Sequence, residues 1–125
     1  VAHREELLNQ AADAFAKVRP RDDFGFVVGG RREMDRRLVF ASVQSLGAVL
    51  AEDPDALAGF DYAVVDEFHH AAAPTYLAVL ARIRPRFLLG LTATPYRGDN
   101  RDLYSLCDGN VAYEIGLFAA IGYGW

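Results

Sequence analysis

Apolar and polar residues alternate along the chain in a pattern that predicts strands separated by helices. Four short runs are almost wholly apolar and end in, or are followed directly by, small or polar residues: Phe24–Gly30, Leu38–Ser42, Ala63–Val65 and Phe87–Thr92. Runs of this kind are typical of strands buried in a parallel sheet. Between the runs, apolar residues recur at helical spacing, so the pattern favours an α/β fold.

Three segments carry the helical pattern, and each has a start or stop signal. The first contains Leu7, Leu8, Ala11, Ala12, Phe15 and Val18 and closes at Pro20; the second begins at Val43 after Ser42, a candidate N-cap; the third contains Tyr76, Leu77, Val79, Leu80 and Ile83 and stops at Pro85. Val1–Arg4 has the character of a strand end. Near the C-terminus we expect a strand over Val111–Ile115 and the start of a short helix within Phe118–Ile121.

The composition limits the classes to which the protein can belong. The 125 residues suffice for one domain, and the 52% hydrophobic content excludes a disordered tail. No apolar run approaches the ~18 residues that a membrane span needs, so we expect no membrane association. The single cysteine, Cys107, fits a reducing, cytoplasmic location. Because the net charge is −4, any contact with nucleic acid must come from a local basic patch.

Two adjacent carboxylates, Asp66 and Glu67, follow the apolar run Ala63–Val65 directly. The carboxyl ends of parallel strands are where open α/β sheets bind ligands. Mg²⁺ takes one or two carboxylates together with water and substrate phosphates. The residues therefore predict a metal–phosphate site with Asp66 on the metal and Glu67 orienting or deprotonating water. A solvated acidic turn at the end of a strand is the ordinary alternative.

A metal hydrolase is a further alternative for the same stretch. Its ligand set would draw on Asp66, Glu67, His69, His70 and the distant His3. Adjacent histidines cannot both face one site on a regular helix, and the sequence has no His-Glu-x-x-His spacing. Both points disfavour this interpretation.

The stretch Ala63–His70 resembles motif II, the DExH box, of superfamily 2 helicases and translocases. Four other pieces resemble motifs of the same family and stand in the family's order. They are Ala2–Ala11 as motif Ia, the doublet Gly29-Gly30, the "ASVQSL" of residues 41–46, and the "LTATPYR" of residues 91–97 as motif III. The resemblance runs from Ala2 to about Asp99. The residues of motifs II and III are most similar to those of the restriction-subunit and DNA-repair branch of the family.

The resemblance implies a three-layer α/β/α, P-loop NTPase-like (RecA-like) parallel sheet that is incomplete. Residues 1–125 would form part of the helicase ATP-binding lobe, from motif Ia to motif III. The sequence contains no Gly-x-x-x-x-Gly-Lys-Ser/Thr, so motif I is missing, and nothing resembles the second lobe of the motor. We therefore expect an excised portion of lobe 1.

For the intact enzyme, the resemblance implies hydrolysis of ATP with Mg²⁺ and movement along nucleic acid, DNA more than RNA. Asp66 and Glu67 would be catalytic, with Asp66 on the metal, while His69, Thr92 and Thr94 would couple the nucleotide to the bound strand. The nucleic-acid contacts would come from His3, Arg4, Gly29, Gly30, Ser42 and Gln44. Ordinary loop, turn and capping roles are the alternatives for these six residues.

Two expectations concern the chain by itself. Without a phosphate-binding loop it should not hydrolyse ATP, and a degenerate module that grips nucleic acid without turnover is the alternative function. In the resembled fold the strand of motif III pairs with the strand of motif I. With that partner absent, Phe87–Leu91 would be an exposed sheet edge through which copies of the chain associate.

Overall fold

The computed structural model describes residues 1–94 and 105–116, and it has an α/β fold. The helices are α1 (Glu5–Phe15), α2 (Val43–Glu52) and α3 (Pro74–Ile83), and the strands are β1 (Phe24–Val28), β2 (Arg31–Arg32), β3 (Leu38–Ala41), β4 (Tyr62–Val65) and β5 (Phe87–Gly90). Short 3-10 turns cover Arg21–Asp23 and Phe68–His70. The end of the motif III resemblance, Pro95–Asp99, and the helix expected within Phe118–Ile121 lie outside the described residues. Within those residues, no helix is long and apolar enough to cross a membrane.

The strands form two ladders. In the first, β1 lies between β3, which is parallel to it, and β2, which is antiparallel. Gly29 and Gly30 connect β1 to β2 with φ values of 57° and 90°, the left-handed conformations that a two-residue hairpin turn requires. In the second ladder β4 and β5 are parallel, with Val65 opposite Gly90.

The first two residues of the chain join the ladders. The amide of Ala2 donates to the carbonyl of Ala41 at 3.1 Å, and the amide of Val43 donates to the carbonyl of Ala2 at 3.2 Å. On the other side, the nitrogen of Val1 donates to the carbonyl of Val64 at 2.6 Å, and the amide of Asp66 donates to the carbonyl of Val1 at 2.9 Å. Val1–Ala2 thus lies as a short parallel strand between β3 and β4, as expected of a strand end.

Helices cover both faces of the β1–β3 ladder. Alternation along β1 and β3 sends Phe24 and Phe40 to one face, where they pack against Leu8 and Ala12 of α1. Val27 and Ala41 point to the other face, into the larger core formed with α2 and α3. The largest side chains that are completely buried include Leu46 of α2 and Val79 of α3.

Three expectations about elements are wrong. The first helix ends at Phe15 and does not reach Val18, because a tight turn of i→i−3 hydrogen bonds follows; Val18 is 78% exposed. The motif II strand is not buried on both faces, since Tyr62 and Val64 are 73% and 44% exposed. Val111–Ile115 is not a strand. A strand needs a neighbouring ladder, and within the described residues this segment pairs with none.

Candidate functional site

The parallel strands bring the predicted site residues to one edge of the sheet. The strands β1, β3, β4 and β5 end at Val28, Ala41, Val65 and Gly90. β1 is parallel to β3, β4 is parallel to β5, and Val1–Ala2 joins the two pairs in the same direction. We call this side the carboxyl edge. The residues that follow these strands, and His3 after Ala2, therefore share one side of the molecule.

Asp66 and Glu67 form the turn that leaves β4. Asp66 is half-buried, and its Oδ1 accepts a hydrogen bond from the amide of Glu67 at 2.9 Å. Glu67 has φ 50° and ψ 49°, a left-handed conformation that costs a residue other than glycine roughly 1–3 kcal/mol. The chain therefore bends sharply after Asp66, and the two carboxylates do not continue the strand.

Phe68 fixes this turn against the neighbouring strand. Its amide donates to the carbonyl of Leu91 at 2.8 Å, and its side chain is buried. The ring lies directly over Gly90, where a Cβ atom would come within 2.4 Å of a ring carbon. Only glycine lets the ring approach the backbone so closely, so the turn after β4 is held to the end of β5.

A series of polar contacts links the ends of β4 and β5. The Nδ1 atom of His69 lies 3.2 Å from Oε2 of Glu67 and 3.1 Å from the hydroxyl oxygen of Thr92. The amide of Thr94 donates to the same hydroxyl oxygen at 3.2 Å. The side chain of His69 is 12% exposed, compared with 42% for Glu67. Four of the predicted catalytic and coupling residues are thus joined by contacts, and the fifth, Asp66, precedes them directly.

Two predicted nucleic-acid residues are also in contact. Nδ1 of His3 lies 2.7 Å from Nε2 of Gln44. This contact joins the segment after Ala2 to the first turn of α2. Arg4 occupies the N-cap position of α1, makes no side-chain capping bond there, and is exposed. His3, Arg4 and Gln44 are thus exposed at the starts of two helices.

Ser42 is the N-cap of α2, as its position in the sequence predicts. Its hydroxyl oxygen accepts from the amide of Ser45 at 3.2 Å and contacts the hydroxyl of Ser45 at 2.9 Å. The residue is 6% exposed. The capping role accounts for the hydroxyl, and a contact between Ser42 and phosphate stays a prediction.

The arginines that follow the glycine turn are paired within the chain. Arg31 lies over the ring of Phe26 at 4.4 Å and bonds to Glu33, whose pKa is lowered chiefly by that hydrogen bond. Arg32 forms a bidentate pair with Glu52 at the end of α2. These pairs agree with the interpretation of residues 31–37 as a solvated hairpin.

Tyr76 of α3 is a buried residue near Asp66 and Glu67. Nothing in the sequence indicates that its hydroxyl lies there. It is 3% exposed, and its hydroxyl has no hydrogen-bond partner within the described residues. Burial, and then the charges of Asp66 and Glu67, raise the pKa of this phenol above its ordinary value. Helical spacing marks Tyr76 as a core residue, but no pattern in the sequence shows what its hydroxyl meets.

The carboxylates fit a magnesium ion that is shared with a ligand better than a metal centre made by protein alone. Within residues 1–94 and 105–116, no three His, Cys, Asp or Glu side chains are grouped to hold a metal ion. The ligand set of the hydrolase alternative is therefore not assembled there. Asp66 offers one carboxylate at the end of a strand, which is what Mg²⁺ commonly takes from a protein when phosphate and water complete its shell.

Comparison with known proteins decides the family. The sequence profile described as "Type III restriction enzyme, res subunit" matches residues 1–97, more than half of the chain. The chain belongs to this family. The chain is also similar to "Putative helicase 109L" of Invertebrate iridescent virus 3, with 40% identity over 55 residues. Those residues are 44% of this chain and 17% of the viral protein, so the chain matches a small part of that relative.

The family membership confirms the resemblance to superfamily 2 helicases that the ordered motifs indicated, and it supports a helicase-type motor at the level of the family. The matched range contains the carboxyl edge and both strands that carry the contact series Glu67–His69–Thr92. The functional role of each residue stays a prediction, as does the assignment of residues 1–125 to one lobe.

Proposed function

We propose that residues 1–125 are the motif Ia to motif III part of an ATP-binding lobe, with the three-layer, RecA-like arrangement, in a DNA helicase or translocase. The observation that carries this proposal is the contact series Glu67–His69–Thr92, which joins the ends of β4 and β5. Family membership supports it, as does the placement of helices on both faces of β1 and β3. The complete motor would hydrolyse ATP and move along the bound strand.

In this proposal Asp66 holds Mg²⁺, directly or through water. The amide of Glu67 fixes Oδ1 of Asp66, so the carboxylate is oriented before a ligand arrives. A Mg²⁺ ion held there would neutralise charge on the phosphates of ATP. Asp66 alone cannot hold a triphosphate, because a carboxylate repels phosphate unless a cation lies between them.

Glu67 is the proposed general base, which orients the attacking water and accepts its proton. Its left-handed backbone turns the side chain out of the strand, and its carboxylate remains 42% exposed and accessible to water. His69 contacts this carboxylate and Thr92 through one nitrogen. A change at the phosphate site would therefore pass through His69 to Thr92 in the motif III segment. From the hydroxyl of Thr92 it would pass to the amide of Thr94.

The proposed nucleic-acid surface is the remainder of the carboxyl edge. His3, Arg4, Gln44 and the exposed turn Gly29-Gly30 offer donors to phosphate oxygens, and Ser42 organises the helix start behind them. Such contacts carry no information about base sequence. Binding should therefore be independent of sequence, weakened by salt, and weak overall, since the chain has a net charge of −4.

The test is Glu67→Gln in a longer protein that carries this chain together with a phosphate-binding loop. The change keeps the shape of the side chain and removes the base, so nucleic-acid-stimulated ATP turnover should fall by roughly 10²–10⁴-fold. ATP binding should persist, because the contacts of Asp66 remain. Turnover is measured by phosphate release and binding by calorimetry.

Glu6→Gln is the matched control, because Glu6 is an exposed glutamate in the first turn of α1. It should leave turnover unchanged. Unchanged turnover in Glu67→Gln would exclude Glu67 as the base. If neither the variant nor its parent hydrolysed ATP while both bound nucleic acid, the chain would be a gripping module without catalysis.

A further inference from the structure

All three histidines of the chain lie in one row at the carboxyl edge. The sequence holds His3, His69 and His70 and no others, and the first is separated from the other two by most of the chain. The ring centroids of His69 and His70 are 4.2 Å apart, and those of His70 and His3 are 6.2 Å apart. His70 therefore stands between the two other rings. We call this arrangement the histidine row.

Each end of the row contacts a different part of the proposed site. At one end His69 contacts Glu67 and Thr92, the residues assigned to the chemistry and to coupling. At the other end His3 contacts Gln44, a residue assigned to the bound strand. Exposure increases along the row, since His69 is half-buried whereas His70 and His3 are exposed. The row thus runs from the turn after β4 out to the proposed nucleic-acid surface.

The backbone holds both ends of the row in place. His69 and His70 belong to the 3-10 turn that Phe68 anchors on Gly90 and Leu91. His3 follows Ala2, whose amide donates to Ala41 at the end of β3 and whose carbonyl accepts from Val43 at the start of α2. A shift of the turn after β4 would therefore change the position of the His70 ring relative to the His3 ring. The interplanar angles of 45° and 38° show that both pairs of rings are tilted.

We propose that His70 is a positioning residue that couples the turn carrying Glu67 to the His3–Gln44 pair. This proposal rests on the proposed function, because the coupling matters only if Glu67 acts on the nucleotide and the His3–Gln44 pair contacts the bound strand. The ring contacts themselves can be tested in this chain without either ligand. The motif resemblance assigns no role to His70, and the structure places it at the one position of the row that touches both ends. The contacts on which the proposal rests are between rings, so phenylalanine at residue 70 would keep the flat surface that they need.

Nuclear magnetic resonance of the 125-residue chain tests the row without any ligand. With only three histidines, the imidazole signals can be assigned by single substitutions. Glu67→Gln should shift the ring signals of His69, His70 and His3, with the smallest change at His3. In the background of His70→Ala, the ring of His3 should no longer respond to Glu67→Gln. In the background of His70→Phe, which keeps a flat ring, most of the response should return.

Asp55→Asn is the matched control, because it removes one exposed carboxylate beyond the far end of α2. It should leave the His3 signals unchanged in every background. A response of His3 to Glu67→Gln that survives His70→Ala would overturn the proposal. So would a His70→Phe chain that behaves like His70→Ala, provided that circular dichroism shows both to be folded.

A second measurement shows whether the row matters for nucleic acid. The probe is a fluorescein-labelled single-stranded oligodeoxynucleotide, and its anisotropy reports affinity at low salt. Glu67→Gln removes a negative charge and should tighten binding about fivefold with His70 present, but less than about twofold in His70→Ala. An equal gain in both backgrounds would refute the link to strand binding. If the unmodified chain did not bind the oligonucleotide at all, the proposed function would fail while the resonance experiment still decided the row.

Discussion

At the scale of single residues, the turn after β4 depends on two positions where the backbone is unusual. Glu67 adopts a left-handed conformation, and Gly90 leaves room for the ring of Phe68. Neither property is visible in the sequence. A glutamate gives no sign of its φ angle, and the contact of Phe68 with Gly90 joins residues 22 positions apart. The identities of Asp66 and Glu67 marked the site, but its shape comes from these tertiary contacts.

The buried hydroxyl of Tyr76 leads to a prediction about stability. A buried polar group without a partner costs about 1–3 kcal/mol, and phenylalanine fills the same space without that group. Tyr76→Phe should therefore raise the free energy of unfolding by about 1 kcal/mol. Urea denaturation followed by circular dichroism measures the difference.

Tyr62→Phe serves as the control for Tyr76→Phe, because Tyr62 is 73% exposed and its hydroxyl is solvated. Its stability should stay within about 0.5 kcal/mol of the parent, as is usual for surface substitutions. A Tyr76→Phe chain that is less stable than the parent would contradict the prediction.

At the scale of elements, the junction between β3 and α2 follows directly from the sequence. An apolar run ends at Ser42, and that serine caps the next helix through the amide of Ser45. Both parts are local, so a pattern within a few residues predicts them. The end of α1 and the fate of Val111–Ile115 were not predictable in this way. They depend on whether a neighbouring strand or face is available to pack against.

Removal of the cap provides a test at this scale. Ser42→Ala leaves the amide of Ser45 without its acceptor and should lower stability by about 1 kcal/mol, with a range of roughly 0.5–2 kcal/mol. Thermal unfolding followed at 222 nm measures the loss. Ser42→Thr keeps an acceptor oxygen and should recover most of the stability. If Ser42→Ala were as stable as the parent, the cap would not be a source of stability for α2.

At the scale of the whole molecule, one face of the β4–β5 ladder has no helix over it within the described residues. Tyr62, Val64 and Phe87 on this face are exposed, and Leu91 beyond β5 is 46% exposed. A groove of about 840 Å³ beside it is lined by residues of β4 and by Leu7 and Ala11 of α1. The sequence predicted an uncovered edge at β5 from the missing partner strand, but it did not predict that the adjoining face would be open.

The open face and the edge of β5 lead to a prediction about association. Exposed apolar strands at a sheet edge tend to pair with other chains. We expect the 125-residue chain to form dimers or larger species at high concentration, as measured by light scattering coupled to size exclusion. Phe87→Lys places a charge on the edge strand and should shift the distribution toward monomer.

Val18→Lys is the matched control for the association experiment. Val18 is also apolar and is 78% exposed, but it follows the end of α1 and belongs to neither strand of the β4–β5 ladder. It should leave the mass distribution unchanged. A parent chain that is monomeric at all concentrations would contradict the prediction, and so would equal effects of the two lysines.

The short strand Val1–Ala2 has a consequence for the order in which the sheet forms. The β1–β3 ladder lies within residues 24–41 and the β4–β5 ladder within residues 62–90, so each can assemble from nearby parts of the chain. The pairing of Val1 with Val64 instead closes a separation of 63 residues. Contacts of long separation are slow to form, because the chain entropy is lost before the contacts stabilise it. We therefore expect two half-sheets to form early and the first strand to enter between them last, so that the carboxyl edge is completed only at the final stage of folding.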